Sequence, residues 1–181
     1  MNAAVARRML DDAYRAFYAE HVRYVWRSLR RLGIAEHDCE DLAQEVFVAV
    51  HRHFPERDET RPAKPWLFGF AFRIALGHKR RASTTREVPT DQERMSELPD
   101  SSRDVGKAMS ARDAYMVVHE ALAELSIEQR AIVILHELDE ITAPAIAAEL
   151  ALPLNTVYSR LRLGRERFRA AIERLTKGGA S

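Results

Sequence analysis

Along most of this chain apolar residues return at steps of three and four, the mark of helices with one buried face, while strand-like alternation and hairpin dipeptides are missing. The sequence therefore predicts an all-α protein. Ala13, Phe17, His21, Tyr24, Val25 and Leu29 mark the inner face of a first helix over about Leu10 to Leu32, with Gly33 as its stop. A second helix is expected over about Asp38 to His53. Asp38 is placed to cap it, and Leu42, Val46, Ala49 and Val50 form its apolar face. Its outer surface carries Asp41, Gln44, Glu45 and Arg52, with Phe47 assignable to either side. Phe54 to Lys64 holds two prolines and dense charge, and reads as a surface loop. Pro65 then opens a third helix to Arg81, at the position where a missing N–H costs least. Trp66, Leu67, Phe68, Phe70, Phe72 and Ile74 run nearly all round its first turns, so some pack inward and some are expected to meet another molecule.

From Arg86 to Arg112 the pattern lapses. Prolines, Ser, Thr and mixed charge leave too little apolar content for a core, and a linker is expected there. It divides the chain into a helical domain over 1–85 and another over 113–177, which need not touch. In the second domain Ala114, Val117, Val118, Ala121, Leu122 and Leu125 build one helix. Ser126 to Gln129 forms a capping box for the next, which runs to about Leu138 with Ile132, Leu135 and Leu138 inward. Ile141 to Arg169 then reads as a short helix, a tight turn and a longer helix. Thr142 can cap the short helix, Pro144 suits its first turn, and Ile146, Ala147 and Leu150 form its apolar face. Ala151-Leu152-Pro153 ends it and Asn155-Thr156 starts the long one, whose stripe is Val157, Leu161, Phe168, Ile172 and Leu175. Lys177 to Ser181 is expected to fray.

Charge sharpens this picture. The total of 28 Lys and Arg against 27 Asp and Glu hides a segregation within the second domain. From Tyr158 to Lys177 seven bases face two acids, a net +5, whereas from Asp113 to Glu149 one base faces eight acids, a net −7. A cationic helix on an acidic support suits insertion into a DNA major groove, with Arg reaching phosphates and guanine edges. In the third helix, aromatic rings beside His78, Lys79, Arg80 and Arg81 are what a single strand needs, since rings stack on bases while cations follow phosphates. The lone Cys39 rules out an internal disulfide framework and suits a reducing cytosol. No apolar run approaches the roughly 20 residues of a membrane span, and Met1 to Leu10 lacks a signal-peptide core.

The whole chain resembles the bacterial RNA polymerase sigma factors of the extracytoplasmic-function (ECF) group. The matching residues are Asp38, Asp41-Leu42, Gln44-Glu45, Phe47, Arg52, Pro65-Trp66-Leu67-Phe68, Ala71 and Arg80-Arg81 in the first domain. In the second they are Ala121-Leu122, Leu125, Gln129-Arg130, Ile146-Ala147, Leu150, Thr156-Val157, Ser159-Arg160-Leu161 and Arg165. The resemblance implies that Asp38, Asp41, Leu42, Gln44, Glu45, Phe47 and Arg52 dock on the clamp helices of the polymerase β′ subunit. It implies capture of the non-template -10 strand by Arg61, Lys64, Trp66, Arg73, Lys79, Arg80 and Arg81. Asn155, Thr156, Tyr158, Ser159, Arg160, Arg162, Arg165 and Arg169 would read the -35 element as duplex, with the β flap as a further polymerase contact. An anti-sigma protein is an expected partner, the cytoplasm the expected location, and no cofactor or metal is implied.

Several positions depart from the family's usual pattern. Arg73 stands where Asn is common and Gly77 where Asp is common. Ala145 replaces a frequent Glu, Ala151 the turn Gly, and Leu163-Gly164 a frequent Arg-Ala pair, with Gly164 costing the helix about 1 kcal/mol relative to Ala. Two other readings compete. A stand-alone helix-turn-helix regulator would need a sensor or dimerisation domain, and the first domain carries no ligand-pocket motif. A metal enzyme built on His37, Cys39, His51 and His53 lacks suitable spacing, since His51 and His53 point to different sides of a helix. With no nucleophile, paired-carboxylate or phosphate-loop motif, the chain is expected to be non-catalytic.

Overall fold

The computed structural model describes residues 3–85 and 111–177, all of it helices and short connections, with no strand among the described residues. In the first domain α1 (Ala3–Arg31), α2 (Glu36–His53) and α3 (Ala63–Thr85) pack as a three-helix unit. Val25, Leu29, Leu32, Val46, Val50, Leu67 and Phe68 fill its centre. α1 begins well before Leu10, and Ala13 is exposed rather than inward. The neighbouring Tyr14 takes the inward position, and its hydroxyl donates to Phe47 O at 2.6 Å.

Gly33 ends α1 as expected. At φ 82 it lets its own N–H reach Arg30 O and the N–H of Ile34 reach Leu29 O, so two end carbonyls are satisfied, and Leu29 and Ile34 are both buried. α2 starts at Glu36, with Ala35 at the cap position and no side-chain cap. Asp38 therefore does not cap the helix. Its carboxylate lies 3.4 Å from His37 and 3.3 Å from His78 instead. The expected loop contains a 3-10 turn, Phe54–Glu56, and α3 begins two residues before Pro65.

The second domain contains α4 (Ala111–Ala123), α5 (Ile127–Val133), α6 (Ala143–Leu150) and α7 (Leu154–Lys177). α4 starts two residues inside the expected linker, and the rest of that stretch, with the last four residues of the chain, lies outside the described residues. Ser126 accepts from the N–H of Gln129 and so supplies half of the capping box; the Gln129 side chain turns instead to Arg167. α5 continues as a π-helical segment, Ile134–Leu138. Thr142 stands at the N-cap of α6 but its hydroxyl makes no cap bond. At the other end Ala151 adopts φ 53, ψ 47, the left-handed conformation that the turn requires, with Leu152 N–H donating to Ala147 O at 2.9 Å.

α7 lies closely on α5 because Gly164 is buried there: a β-carbon at this position would sit 2.8 Å from Val133 Cγ2. The glycine is a packing requirement. Val157, Leu161 and Ala171 are also buried, while Phe168, Ile172 and Leu175 are only half-buried at the edge of the stripe.

The two domains touch. α3 crosses α6 so closely that a β-carbon on Gly69 would lie 3.2 Å from Glu149 O. Tyr24 donates to Asp139 at 2.8 Å, and Arg31 lies 3.5 Å from the same carboxylate. Arg61 bonds Glu149 at 2.6 Å, and His119 Nε2 lies 3.2 Å from Arg30 O. The linker would allow the domains to stand apart, and these pairs bring them together.

Candidate functional site

Three surfaces carry the candidate residues. On α2, Asp41, Gln44, Glu45 and Arg52 are exposed along one face, as helical spacing requires. Val48, 55 % exposed, stands four residues beyond Gln44 on that face and was not foreseen. Leu42 and Phe47 are each only 3 % exposed, so these two candidates are core residues and cannot meet a partner while α2 stays packed. Phe47 stacks edge-on with Tyr18 at 4.6 Å. Asp38 is half-buried between its two histidines.

The second surface is an aromatic and basic cavity of about 450 Å³ between the 54–62 loop, α3 and the tip of α6. Trp66, Phe70 and Arg73 stand at i, i+4 and i+7 on α3 and therefore share a face. The Trp66 and Phe70 rings meet edge-on at 5.1 Å, and the Arg73 guanidinium lies 4.9 Å above Phe70. Burial lowers the Arg73 pKa. The Arg57 guanidinium sits over Phe17 at 5.0 Å and Trp66 at 5.9 Å, cation-π contacts that hold the loop against the aromatic wall. Asp58 shapes that loop. Its Oδ1 accepts from the Thr60 N–H at 3.0 Å and the Thr60 hydroxyl at 2.6 Å, bonds that hold its carboxyl below the usual range. The turn places Arg61 in the cavity lining, which also includes His53.

Of the residues expected to capture a strand, Arg61, Trp66 and Arg73 converge on this cavity. Lys64 lies apart, its ammonium 5.9 Å from the Tyr24 ring. Arg80 and Arg81 are exposed near the C-terminal end of α3. Lys79 is half-buried against Gly33 and Arg130 at the domain contact, where burial and then the neighbouring Arg130 charge lower its pKa. It is not presented to a ligand in this conformation. His53, Arg57 and Phe70 line the cavity and were missing from the expected set. The Arg57-Asp58-x-Thr60-Arg61 spacing, an Asx turn between two bases, is the signal that could have found Arg57.

The third surface is the outward face of α7. Tyr158, Arg162, Arg165 and Arg169 line one shallow cleft with Glu166 and Glu173. Asn155 and Ser159 are exposed in the first turns of the helix and Thr156 is half-buried. The Ser159 hydroxyl donates to Thr156 O at 3.0 Å, so it serves the helix backbone. Arg162 pairs with Glu166 at 3.0 Å across one turn. Arg165 bonds Glu137 at 2.6 and 2.7 Å. Partial burial raises the Glu137 pKa, and Arg165 with His136 outweighs it and holds the carboxyl below its usual range. Arg160 falls on the opposite flank, with Arg167, which bonds Gln129 at 3.0 Å. Of the eight -35 candidates, Tyr158, Arg162, Arg165 and Arg169 line the cleft, while Thr156 stands four residues before Arg160 on the opposite flank. Two of the departures belong here: Leu163 is 38 % exposed, and Gly164 faces inward.

The described residues contain no group of three His, Cys, Asp or Glu able to hold a metal ion, and no helix long and apolar enough to cross a membrane. Cys39 is buried, its Sγ donates to Ala35 O at 3.2 Å, and burial pushes its thiol up to about 11.

Comparison with known proteins places both domains within one family. Residues 17–85 match the family described as Sigma-70 region 2, and residues 115–168 match Sigma-70, region 4. The ECF RNA polymerase sigma factor SigL of Mycobacterium tuberculosis is 32 % identical over 166 residues, covering 89 % of either chain. The RNA polymerase sigma factor NccH of Alcaligenes xylosoxydans xylosoxydans is 27 % identical over 96 % of this chain and 95 % of its own. The fold is shared with the sigma factor RpoE in complex with the anti-sigma factor NepR from Bartonella quintana, with a TM-score of 0.67, 17 % identity, and 89 % and 97 % of the two chains covered. CnrH in complex with the cytosolic domain of CnrY gives a TM-score of 0.57 at 22 % identity, covering 90 % and 89 %. A free-standing helix-turn-helix regulator would leave the region 2 match without a role. The chain belongs to the ECF RNA polymerase sigma factors.

Proposed function

We propose a division of labour within this sigma factor, which directs promoter-specific transcription initiation by RNA polymerase. The domain over 1–85 docks on core polymerase through the α2 face of Asp41, Gln44, Glu45 and Arg52. It captures the non-template -10 strand in the cavity of Arg57, Arg61, Trp66, Phe70 and Arg73. Stacking on Trp66 and Phe70 would hold bases, while the guanidiniums would hold phosphates. The domain over 113–177 places the α7 face of Tyr158, Arg162, Arg165 and Arg169 in the major groove of the -35 element. The stretch 86–112 joins the two. The observation that carries this reading is the convergence of Arg61, Trp66 and Arg73 with Arg57 and Phe70 in one cavity, on a domain separate from the arginine face of α7.

The chain supplies recognition and no chemistry of its own, and works in the cytoplasm, where bacterial polymerase transcribes. A protein that holds it inactive is part of this proposal, supported by the solved relative captured with the anti-sigma factor NepR. The test is transcription in vitro with sigma-free core polymerase and a library of genomic fragments from the source organism. Transcripts should begin at defined sites that share two separated upstream elements. Starts that are scattered, or the same with and without the chain, would reject the function.

A further inference from the structure

Just past the end of α1, two cations from different helices share one place. A β-carbon on Gly33 would lie 2.9 Å from Lys79 Nζ of α3, and Nη1 of Arg130, on α5, already occupies that spot. The guanidinium is 6 % exposed, and its hydrogen bonding is far from complete. Only Nη2 finds an acceptor among the described residues, Leu125 O at 3.3 Å; Nε is buried without a partner, and Nη1 faces Lys79 instead. No described carboxylate pairs with either cation. Glu149 is taken by Arg61, Asp139 by Arg31 and Glu36 by Arg30. Burial and then the Arg130 charge lower the Lys79 pKa, and burial pushes that of Arg130 down to about 10, which leaves Arg130 charged at neutral pH. Buried charges are ordinarily paired, and two of like sign repel, so this arrangement costs stability twice.

From this juxtaposition we infer that Lys79 and Arg130 form a binding site for a small oxyanion of the phosphate type. An ion lodged between them removes both costs at once. The donors suit it: Nη1 of Arg130 and Nζ of Lys79 can each donate a charge-assisted hydrogen bond to an oxygen of the same ion. Glycine at position 33 is what makes the room, since any side chain there would collide with the guanidinium. The enclosure that withholds Lys79 from a DNA strand still leaves the site an edge open to water, because Lys79 and Gly33 are only half-buried. That edge admits an ion and excludes a polynucleotide. None of the residues assigned to the -10 cavity or to the α7 face other than Lys79 takes part, so the site is separate from both surfaces.

Thermal unfolding of the full chain tests the site, with sodium phosphate compared against sodium chloride of matched ionic strength at constant pH. In the wild type, phosphate should raise the midpoint by several degrees beyond chloride, because a ligand of the folded state stabilises it by mass action. Lys79→Met keeps the length of the stem and removes the charge. It should start above the wild type in phosphate-free buffer, where the repulsion is gone, and lose most of the phosphate increment. Lys79→Arg should keep the increment. So should Lys177→Gln, which removes one charge from the far end of α7. Uridine 5′-monophosphate distinguishes two sources of the oxyanion: an increment that also needs Lys79 assigns the site to the phosphoryl group of a larger molecule, and no increment assigns it to the free ion. A phosphate effect no greater than that of chloride, or one retained in full by folded Lys79→Met, overturns the site. A Lys79→Met chain less stable than the wild type without phosphate overturns it as well, since Lys79 would then be satisfied within the protein.

Discussion

At Gly164 two residue-scale effects have opposite signs. Helix propensity alone favours Ala by about 1 kcal/mol. The β-carbon, however, would press on Val133 Cγ2 at 2.8 Å, and Val133 is a stiff, fully buried side chain with nowhere to move. Overpacking of this kind costs about 1–3 kcal/mol, so Gly164→Ala is expected to lower the urea midpoint with the slope unchanged. A raised midpoint would show that the glycine is merely a weak helix former. Ala151 presents the reverse case, because a left-handed alanine costs about 1 kcal/mol or more. Ala151→Gly should stabilise the second domain by about 0.5–1 kcal/mol in the same assay. The sequence flagged both positions as departures but could not assign their signs, since a glycine's neighbour and an alanine's φ are set by how α5, α6 and α7 meet. His119 adds a pH dependence. Burial is the main cause that lowers its pKa, with Arg30 on α1 and Arg130 on α5 adding to it; the contact to Arg30 O and the Glu120 carboxylate on its own helix oppose. The unfolded chain therefore takes the proton first. Stability is undiminished above the ordinary value of about 6.5 and is lost as pH falls through the lower folded value. The thermal midpoint of the wild type should drop more between about pH 7.5 and pH 5.5 than that of His119→Gln, and equal drops would exclude His119.

At the scale of elements, the amphipathic helices were legible because one buried face repeats at helical spacing, and α2 shows how far that reaches. Its polar face was read correctly at Asp41, Gln44, Glu45 and Arg52. Phe47 was ambiguous because its angular position borders the apolar stripe, and only the ring of Tyr18 on α1 decides that it points inward. The cap at Asp38 failed for a different reason: capping depends on which residue leaves the helical backbone, and here Ala35 does. On α3 the nearly continuous apolar run hid which rings face the cavity, although Trp66, Phe70 and Arg73 do follow one face. Two predictions belong to these elements. Asp41→Arg with Glu45→Arg should abolish association with core polymerase while helicity is retained, and persistent co-elution of the folded double variant would place docking elsewhere. Arg162→Ala should weaken binding of promoter duplex by about 1–3 kcal/mol, as expected for loss of a bidentate base contact. Equal affinities of variant and wild type across a salt series would remove Arg162 from the reading set.

For the whole molecule, composition and the two separated motif blocks carried the family and the order of the domains. They gave no sign of the contact between them. That contact joins residues 88 and 115 positions apart through single polar pairs, Arg61–Glu149 and Tyr24–Asp139, and isolated pairs leave no periodic trace in a sequence. The −7 of the acidic segment was legible as a number, yet its counterparts are split between α7, where Arg165 and Arg174 pair with Glu137 and Glu124, and the first domain, where Arg31 and Arg61 pair with Asp139 and Glu149. Interaction with polymerase is the first requirement of a sigma factor. Co-elution of the purified chain with sigma-free core RNA polymerase tests it without knowledge of any promoter. A stable equimolar complex, lost in the Asp41→Arg and Glu45→Arg double variant, is the predicted result; folded wild-type chain that elutes apart from core enzyme of its own source organism would contradict it.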